Sequence, residues 1–250
     1  MTDFPHPPTA QPDGILLVDK PLDWTSHDVV NFVRRRFHLK KTGHCGTLDP
    51  FATGLLVLLV GKATKLQDQL MASEKTYSGV IRLGVETDSQ DRTGQVLATR
   101  EIPTDLTLAK LQQVADTFLG EQLQTPPMHS ALKLNGQPLY KLARKGQTVE
   151  REPRPVTIRS FQLLSYQDSE CLFIVRCSKG TYVRTLAADF GDRLGCGAHL
   201  KELRREASGK FRVTQAASLD DLRSWTEEDF PRHLLPPVVP EMPLAAEVHG

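Results

Sequence analysis

The residues best suited to chemistry in this 250-residue chain lie together in one short stretch, residues 43–54 (GHCGTLDPFATG). Pro50 fixes its own backbone and favours an extended conformation at Asp49, and the glycines allow backbone angles that a side chain would block. The stretch is therefore predicted to be a rigid loop that holds one carboxylate, Asp49, and one imidazole, His44, at fixed positions. An ordinary turn, in which the Asp49 side chain bonds to the backbone, fits the same pattern.

The element that must hold this loop follows it directly in the chain. Residues 55–60 (LLVLLV) form a short apolar run that is β-branched at two positions and closed by Gly61. Such a run predicts a buried strand. A glycine-containing loop next to a buried strand is expected to be held firmly rather than to move freely.

A second candidate lies in residues 177–185 (CSKGTYVRT), where a tight turn is predicted to lead into a helix. The helix is expected to have one apolar face, formed by Val183, Leu186, Ala187, Phe190 and Leu194. Arg184 falls in the first turn of this helix, where a cation opposes the helix dipole. A residue placed against local stability is a candidate for a functional role.

Positive charge is concentrated in two further segments. Ser26 is predicted to cap a helix whose outer face is basic and which leads into residues 43–54, although simple solvation of that face fits as well. Residues 122–159, the basic segment, combine turn-forming residues with seven cations against two carboxylates. A long, irregular and basic segment is predicted to bind a polyanion such as a nucleic-acid backbone.

The overall composition narrows the class of protein. Hydrophobic residues make up 39% and charged residues 24% of the chain, as in globular proteins. The net charge is +1, so only the local clusters argue for a nucleic-acid partner. The first dozen residues lack an apolar core and the longest apolar run has six residues, so we expect neither a signal peptide nor a membrane span.

The cysteines and acidic residues predict no metal site. Four scattered cysteines are too few for a disulfide scaffold and suit the reducing cytoplasm. Cys196 and His199 could begin a zinc site, but no second pair lies at a suitable spacing. The polar turn at residues 87–94 (TDSQDRTG) lacks the ligand pattern of a calcium loop.

The predicted elements give an α+β fold, in which a mixed, mostly antiparallel sheet is flanked by helices and carries the basic segment as an insertion. Because strands do not alternate strictly with helices, a doubly wound parallel sheet fits less well. The proline-rich residues at the C-terminal end are expected to be extended. Strands are predicted at 14–18, 55–60, 76–85, 95–99, 156–166 and 171–177, and further helices at 62–71 and about 108–118.

Seven motifs, in order along the chain, closely resemble the TruB-type family of bacterial tRNA pseudouridine synthases. The resemblance covers about residues 14–222, and the order of several motifs makes it specific. In one departure, Cys45 stands where the family usually has threonine. The motifs are residues 14–21 (GILLVDKP), 43–50 (GHCGTLDP), 75–77 (KTY), 130–133 (SALK), 177–185 (CSKGTYVRT), 194–200 (LGCGAHL) and 203–205 (LRR).

The resemblance implies a domain organisation. Residues 1–12 would be a disordered tail, and residues 13–222 a pseudouridine synthase catalytic domain in which the basic segment is an RNA-binding insertion. Residues 223–250 would be a proline-rich tail. This tail is too short for the full PUA-like RNA-binding domain that many members carry.

The resemblance also implies a reaction, the isomerisation of uridine to pseudouridine at position 55 in the T-loop of tRNA. The N1–C1′ bond breaks, the base rotates while it is held, and C5 joins C1′. The family needs no cofactor. Because the target base lies within a folded RNA, the enzyme must flip it out of the stack.

Three residues match the family's catalytic positions. Asp49 matches the proposed aspartate nucleophile, and a carboxylate can form covalent intermediates of this kind. Arg184 matches the arginine that pairs with it, and Tyr77 matches a tyrosine that stacks on the base and is a candidate to remove the C5 proton. The sequence pattern alone favours Tyr77 as a core residue of its strand.

The remaining matches concern binding of tRNA through its T-arm. His44 would fill the space left by the flipped base, Tyr182 and Leu203 would contact the nucleoside, and Lys20 and Lys179 would support phosphate or backbone contacts. The basic segment would clasp the RNA mainly by its shape. Its predicted RNA-binding cations are Lys133, Lys141, Arg144, Lys145, Arg151 and Arg154.

The resemblance implies tRNA as the partner. The scattered cysteines predict a cytoplasmic protein, and a monomer is predicted because no apolar surface stripe is left over. We expect no membrane association and no obligate protein partner. Two other hypotheses fit the same residues. One is a non-catalytic RNA-binding or RNA-folding module on the same scaffold. The other is a hydrolase that uses Asp49 as its nucleophile and releases a free base or phosphate.

Overall fold

The computed structural model describes residues 11–130, 132–134, 136–139, 142, 147 and 149–237. The strands are β1 (Gly14–Lys20), β2 (Thr42–His44), β3 (Thr53–Val60), β4 (Lys75–Leu83), β5 (Val85–Thr87), β6 (Val96–Thr99), β7 (Gly120–Gln124), β8 (Lys133–Leu134), β9 (Gln137–Pro138), β10 (Arg154–Gln167), β11 (Glu170–Cys177), β12 (Ala198–Ser208) and β13 (Phe211–Arg212). The α-helices are α1 (Ser26–Arg36), α2 (Gln67–Met71), α3 (Leu108–Asp116), α4 (Val183–Arg193) and α5 (Leu219–Ser224). Short 3₁₀ helices lie at Gly61–Leu66, Val213–Gln215 and Phe230–His233.

A single mixed sheet organises these elements. Its strand order is β1-β3-β12-β4-β11-β10-β7, with β2 added on β3 and β13 on β12. β3 and β12 run parallel, and the other pairs of this sheet are antiparallel. The predicted mixed, mostly antiparallel sheet flanked by helices is therefore confirmed. The position of β12 between β3 and β4 brings the C-terminal half of the chain next to residues 43–54.

β3 is buried on both faces, as its unbroken apolar sequence predicts. Leu56, Leu58 and Val60 pack with the apolar side of α1 in one cluster, while Leu55 and Leu59 belong to a cluster on the opposite face. Successive residues of a strand point to opposite faces, which accounts for this division. The strand that begins just after Asp49 is thus fixed from two sides.

Several predicted boundaries differ from the structure. The N-cap of α1 is Thr25, which forms a capping box with Asp28, and the predicted cap Ser26 is the first residue of the helix. Because the Thr25 hydroxyl already accepts a hydrogen bond from the Asp28 amide, the Ser26 hydroxyl is available for another element. The predicted helix 62–71 divides into the 3₁₀ helix Gly61–Leu66 and α2. The basic segment begins in β7 and ends in β10, and these two strands pair with each other.

The C-terminal residues are better ordered than their prolines suggest. Phe230 is 1% exposed and stacks on Phe37 with ring centroids 4.0 Å apart. Leu235 exchanges two backbone hydrogen bonds with Ile15 in β1. The expectation of an extended tail is therefore wrong for residues 225–237, because apolar side chains between the prolines pack onto the core. Within the described part of the chain, no helix is long and apolar enough to cross a bilayer.

Candidate active site

The Asp49 loop, residues 46–55, is held by residues at and just before the start of α1. The Ser26 hydroxyl accepts a hydrogen bond from the Leu48 amide at 2.8 Å and donates one to the Leu48 carbonyl at 3.2 Å. On the other side of Asp49, the Asp23 amide donates to the Pro50 carbonyl at 2.9 Å. Asp49 therefore lies between two residues whose backbone positions are fixed.

Asp49 forms a close ion pair with Arg184, the residue that the sequence placed against the dipole of its helix. Arg184 Nε lies 2.9 Å from Asp49 Oδ2, and Nη2 lies 3.4 Å from Oδ1. The Arg184 side chain is only 3% exposed, whereas that of Asp49 is 35% exposed. The guanidinium thus holds the carboxylate from inside the protein and leaves one side of it open to a substrate.

A second carboxylate shares the same guanidinium. Asp91 Oδ2 lies 3.5 Å from Arg184 Nη1, and the Asp91 side chain is 5% exposed. Asp91 is itself held by Thr93, whose amide and hydroxyl donate to Asp91 Oδ1 at 2.9 Å and 2.6 Å. The turn that contains Asp91 is visible in the sequence, but its pattern indicates no role for this carboxylate. An acidic residue in a polar turn between predicted strands is too common a signal to single out.

The surroundings act on the ionisation of Asp49 in opposite directions. Burial raises the pKa of Asp49, and the nearby Asp91 raises it further, while Arg184 and Lys20 favour the ionised form. A carboxylate that is desolvated but paired is less hydrated than one in water. Its ionisation therefore depends on the balance between burial and the cations beside it.

Lys20 supports the loop rather than facing an open site. Its side chain is fully buried, and its ammonium donates to the carbonyls of Pro21 at 2.9 Å, Trp24 at 2.7 Å and Pro50 at 3.2 Å. An ammonium has three hydrogens, so these bonds use all of them. Burial lowers the pKa of Lys20 to about 8. Lys20, which was predicted to support phosphate or backbone contacts, therefore lies inside the protein and bonds to the Asp49 loop at Pro50.

Tyr77 and Leu203 lie on an apolar surface next to the Asp49 loop. Tyr77 in β4 is 9% exposed and Leu203 in β12 is 8% exposed, and both belong to one buried cluster with Leu48 and Phe51 of the loop. Burial raises the pKa of the Tyr77 phenol. An apolar surface beside a carboxylate suits a flat base attached to a sugar.

His44 precedes the Asp49 loop in the chain, and Tyr182 precedes Arg184. His44 lies at the end of β2, and its Nδ1 is buried without a hydrogen-bond partner among the described residues. Burial and the nearby Arg205 lower the pKa of His44, so its ring is neutral. Tyr182 is the N-cap of α4, and its backbone amide and carbonyl both bond to the Gln124 side chain, at 2.8 Å and 3.1 Å.

Only some of the predicted RNA-binding cations lie within the described residues. Lys141, Arg144 and Lys145 lie outside the described residues. Lys133 lies in β8, which pairs with β9 in a separate two-stranded sheet. Arg151 is half-buried, Arg154 is exposed at the start of β10, and Lys179 is exposed in the turn before α4. Of these residues, only Arg154 lies in β10 and only Lys179 lies in the turn before α4.

Comparison with known proteins identifies the class. Residues 34–183 match the family model "TruB family pseudouridylate synthase (N terminal domain)", which defines an isomerase acting on RNA uridine. Residues 184–240 match "tRNA pseudouridylate synthase B C-terminal domain". The two matches follow each other without a gap. The chain belongs to the TruB family of pseudouridylate synthases, as its motifs predicted.

Curated relatives agree with this assignment. A tRNA pseudouridine synthase B from Opitutus terrae is 50% identical over 229 residues, which are 92% of this chain and 95% of the relative. One from Dechloromonas aromatica is 50% identical over 226 residues, 90% of this chain and 75% of the relative. The Opitutus terrae protein shows that a relative of nearly the same length carries this name.

Solved structures support the fold. Cbf5 in a Cbf5–Nop10–Gar1 complex matches with a TM-score of 0.69 and 30% identity over 90% of this chain. Cbf5 in an archaeal box H/ACA Nop10–Cbf5 complex matches with a TM-score of 0.66 and 27% identity. This chain spans 60% of each of those proteins. The similarity therefore covers most of this chain but not the whole of either protein.

Proposed function

We propose that the protein isomerises uridine to pseudouridine in tRNA, at position 55 of the T-loop, and that Asp49 is the nucleophile. The observation that carries the proposal is the Asp49–Arg184 ion pair, in which Nε and Oδ2 are 2.9 Å apart and only the carboxylate is open to solvent. The family assignment supports the reaction, and the names of the curated relatives support tRNA as substrate.

The reaction rearranges one nucleotide without a net change in atoms. The N1–C1′ bond breaks, the uracil turns within the site, the C5–C1′ bond forms, and a proton moves from C5 while N1 gains one. Asp49 takes part through its exposed oxygen, by attack on C1′, by attack on C6, or by removing the 2′ proton to give a glycal. All of these routes require the carboxylate to be ionised, which Arg184 favours.

The apolar surface beside Asp49 holds the detached base. Tyr77 and Leu203 contribute a ring and a branched side chain from neighbouring strands, since β4 and β12 are paired. Stacking on an aromatic side chain offsets part of the cost of unstacking the base. The Tyr77 hydroxyl is the candidate acceptor for the C5 proton, because it places a polar group on this apolar surface.

Binding of the T-arm extends the site outward. His44, with a neutral ring and an Nδ1 that has no partner among the described residues, takes the space vacated by the flipped base. Tyr182 contacts the nucleoside, and Lys179 and the cations of the basic segment contact phosphates. Lys20 supports these contacts indirectly, by fixing the backbone of Pro50.

The proposal is tested with an unmodified T-arm stem-loop and chemical mapping of pseudouridine. We expect a single pseudouridine at the target uridine, with no change in the mass of the RNA. A stem-loop with cytidine at that position is the matched control and remains unmodified. Binding of the stem-loop without conversion would contradict the proposal and favour an RNA-binding module, and a loss of mass would favour a hydrolase.

A further inference from the structure

Arg205, in β12, is a buried cation that the proposed mechanism does not use. It is 1% exposed, and within the described residues it forms no ion pair with a carboxylate. Its neighbour Arg204, on the other face of the strand, pairs with Asp19 at 2.6 Å. A buried guanidinium is costly unless its donors are satisfied. The hydrogen-bond partners of Arg205 therefore indicate what this residue does in the protein.

Those partners lie at the two ends of the Asp49 loop. Arg205 Nε donates to the Leu55 carbonyl at 2.6 Å, and Nη2 donates to the Gly46 carbonyl at 3.2 Å. One planar side chain thus joins the point where the loop begins to the point where it enters β3. A guanidinium can do this because its donors are fixed in one plane and point in different directions.

The backbone of Arg205 also lies against the loop. Arg205 pairs with Gly54 across the parallel β3–β12 contact. A Cβ atom on Gly54 would lie 2.4 Å from the Arg205 carbonyl oxygen, and Gly54 has a φ of +99°. Only glycine fits this approach without a shift of the backbone. The loop and Arg205 are therefore packed as one unit.

Arg205 also faces Tyr77. The two residues are directly opposite each other in the antiparallel β4–β12 pair, so their side chains project from the same face of the sheet. The Arg205 guanidinium acts to lower the pKa of the Tyr77 phenol, against the effect of burial. Arg205 is thus placed between the loop that carries the carboxylate and the residue that faces the base.

We propose that Arg205 is a positioning residue for the isomerisation, which holds the Asp49 loop and the Tyr77 side chain in one fixed relation. The inference rests on the proposed function, because it concerns the same reaction. Arg205 does not touch the reacting atoms. It acts through the carbonyls of Gly46 and Leu55 and through its position opposite Tyr77.

The test is single-turnover conversion of the T-arm stem-loop with enzyme in excess. Thermal melts report whether each variant is folded, and the single-turnover rate constant at saturating enzyme reports the geometry of the bound complex. For Arg205→Gln and Arg205→Lys we expect a rate constant lower by about 100-fold, since a misplacement of about 1 Å has such an effect. The dissociation constant for the stem-loop should stay within about threefold of the wild-type value. Arg82→Gln, a matched loss of charge at a more exposed ion pair in β4, should keep the wild-type rate constant.

Two outcomes would overturn the inference. Wild-type rate constants in both Arg205 variants would show that the geometry does not depend on this residue. A lower melting temperature with an unchanged rate constant would show a role in folding alone. If Arg205→Gln does not fold, Arg205→Lys, which keeps the charge but cannot reach both carbonyls, decides between these results. Wild-type enzyme that fails to convert the stem-loop would instead contradict the proposed function.

Discussion

Arg184 is surrounded by oxygen atoms at the centre of the site. Besides Asp49 and Asp91, its Nη1 donates to the Ser89 carbonyl at 3.0 Å, and its Nη2 donates to the His129 carbonyl at 2.7 Å. The planar guanidinium satisfies groups in several directions at once, which an ammonium cannot do. Arg184 therefore occupies the first turn of α4 because its side chain bonds to the oxygen atoms of the site, and not because it stabilises the helix.

Replacement of this guanidinium should damage catalysis more than binding. In Arg184→Lys, a single ammonium cannot keep both Asp49 oxygens and Asp91 paired. We expect turnover to fall by about 100-fold or more, because disturbing a buried ion pair costs about 3 kcal/mol. Measured turnover on the T-arm stem-loop checks this. Arg82→Lys, at a more exposed ion pair, is the control and should be near wild type. Wild-type turnover in Arg184→Lys would refute the importance of the pairing geometry.

The Asp49–Arg184 pair could be anticipated from the sequence, but its surroundings could not. The sequence showed the loop pattern around Asp49 and the unfavourable position of Arg184. The resemblance to the TruB-type family predicted that the two residues pair. Asp91 was not anticipated, because its role depends on a contact with Arg184 from a distant turn. Lys20 was assigned to phosphate or backbone contacts because it matches a family position near the site, whereas its burial depends on three carbonyls that only the fold brings together.

At the scale of elements, the Asp49 loop depends on the start of α1. The Ser26 hydroxyl is free to bond Leu48 because Thr25 caps the helix. In Ser26→Ala, the buried Leu48 amide and carbonyl lose their partner, which should cost about 1–2 kcal/mol of stability. We expect turnover to fall by about tenfold at a temperature where the protein is folded, since small shifts of a reacting group are costly.

Ser218→Ala is a matched control for this prediction. Ser218 is the N-cap of α5 and accepts a hydrogen bond from the Asp221 amide. Its loss should cost about 1 kcal/mol, a similar amount, with turnover unchanged. Thermal melts and turnover measured on both variants separate the two effects. Equal turnover in the two variants would show that Ser26 does not position the loop.

Helix α4 also carries a group that should make stability depend on pH. Burial raises the pKa of Asp189 to about 6, and the nearby Asp192 adds to the effect. The folded state then holds the proton more tightly than the unfolded chain, so this group reduces stability as the pH rises from about 4 to 6. The cost is fully present above the folded pKa and absent below the unfolded one.

Asp189→Asn should remove this cost. We expect the variant to be more stable than wild type at about pH 8 by roughly 1 kcal/mol, a value reduced for the partial exposure of the side chain. At about pH 4 the advantage should disappear. Thermal melts across this range check the prediction, with the exposed Asp220→Asn as control. An advantage that does not change with pH would contradict the assignment to Asp189.

The elements themselves were largely predictable from the sequence. The alternating apolar pattern of β4 and β11 and the unbroken apolar run of β3 indicated the strands, because side-chain periodicity survives in most contexts. The sequence did not predict β12 as a strand, because Lys201, Arg204 and Arg205 hide its apolar positions. Two of these cations are neutralised by partners from other strands, and Arg205 is buried against the Asp49 loop.

At the scale of the whole molecule, charge distribution matters more than net charge. The chain carries a net charge of only +1, yet the basic segment alone has seven cations against two carboxylates. Local clusters of this kind bind the RNA backbone by releasing counterions. The interaction is expected to depend strongly on salt even though the protein as a whole is nearly neutral.

Removing two cations of the basic segment should reduce this salt dependence. For the double variant Arg151→Gln and Arg154→Gln, we expect weaker binding of the T-arm stem-loop. The slope of log K against log salt concentration should fall by about one to two. Titrations at several salt concentrations measure this. The double variant Arg223→Gln and Arg232→Gln, at exposed residues near the C-terminal end, should keep the wild-type slope. An unchanged slope in the first variant would argue against the basic segment as an RNA-binding element.

The packing of the C-terminal residues was the main global feature that the sequence did not predict. The five prolines within residues 231–243 suggest an extended tail. A prediction from composition takes no account of one aromatic residue that packs onto the core. Phe230 stacks on Phe37 and closes the cluster on the α1 face of β3. Such a contact joins residues far apart in the chain, so only the fold reveals it.

The measurement that tests the central claim most directly is pseudouridine formation by Asp49→Asn on the T-arm stem-loop. Asparagine keeps the size and an oxygen of the side chain but removes its charge and nucleophilicity. We expect conversion to fall by about 1000-fold or more, with the dissociation constant for the stem-loop within about threefold of wild type. The exposed Asp105→Asn should behave as wild type. Conversion by Asp49→Asn at more than about a tenth of the wild-type rate would contradict the role of Asp49 as the nucleophile.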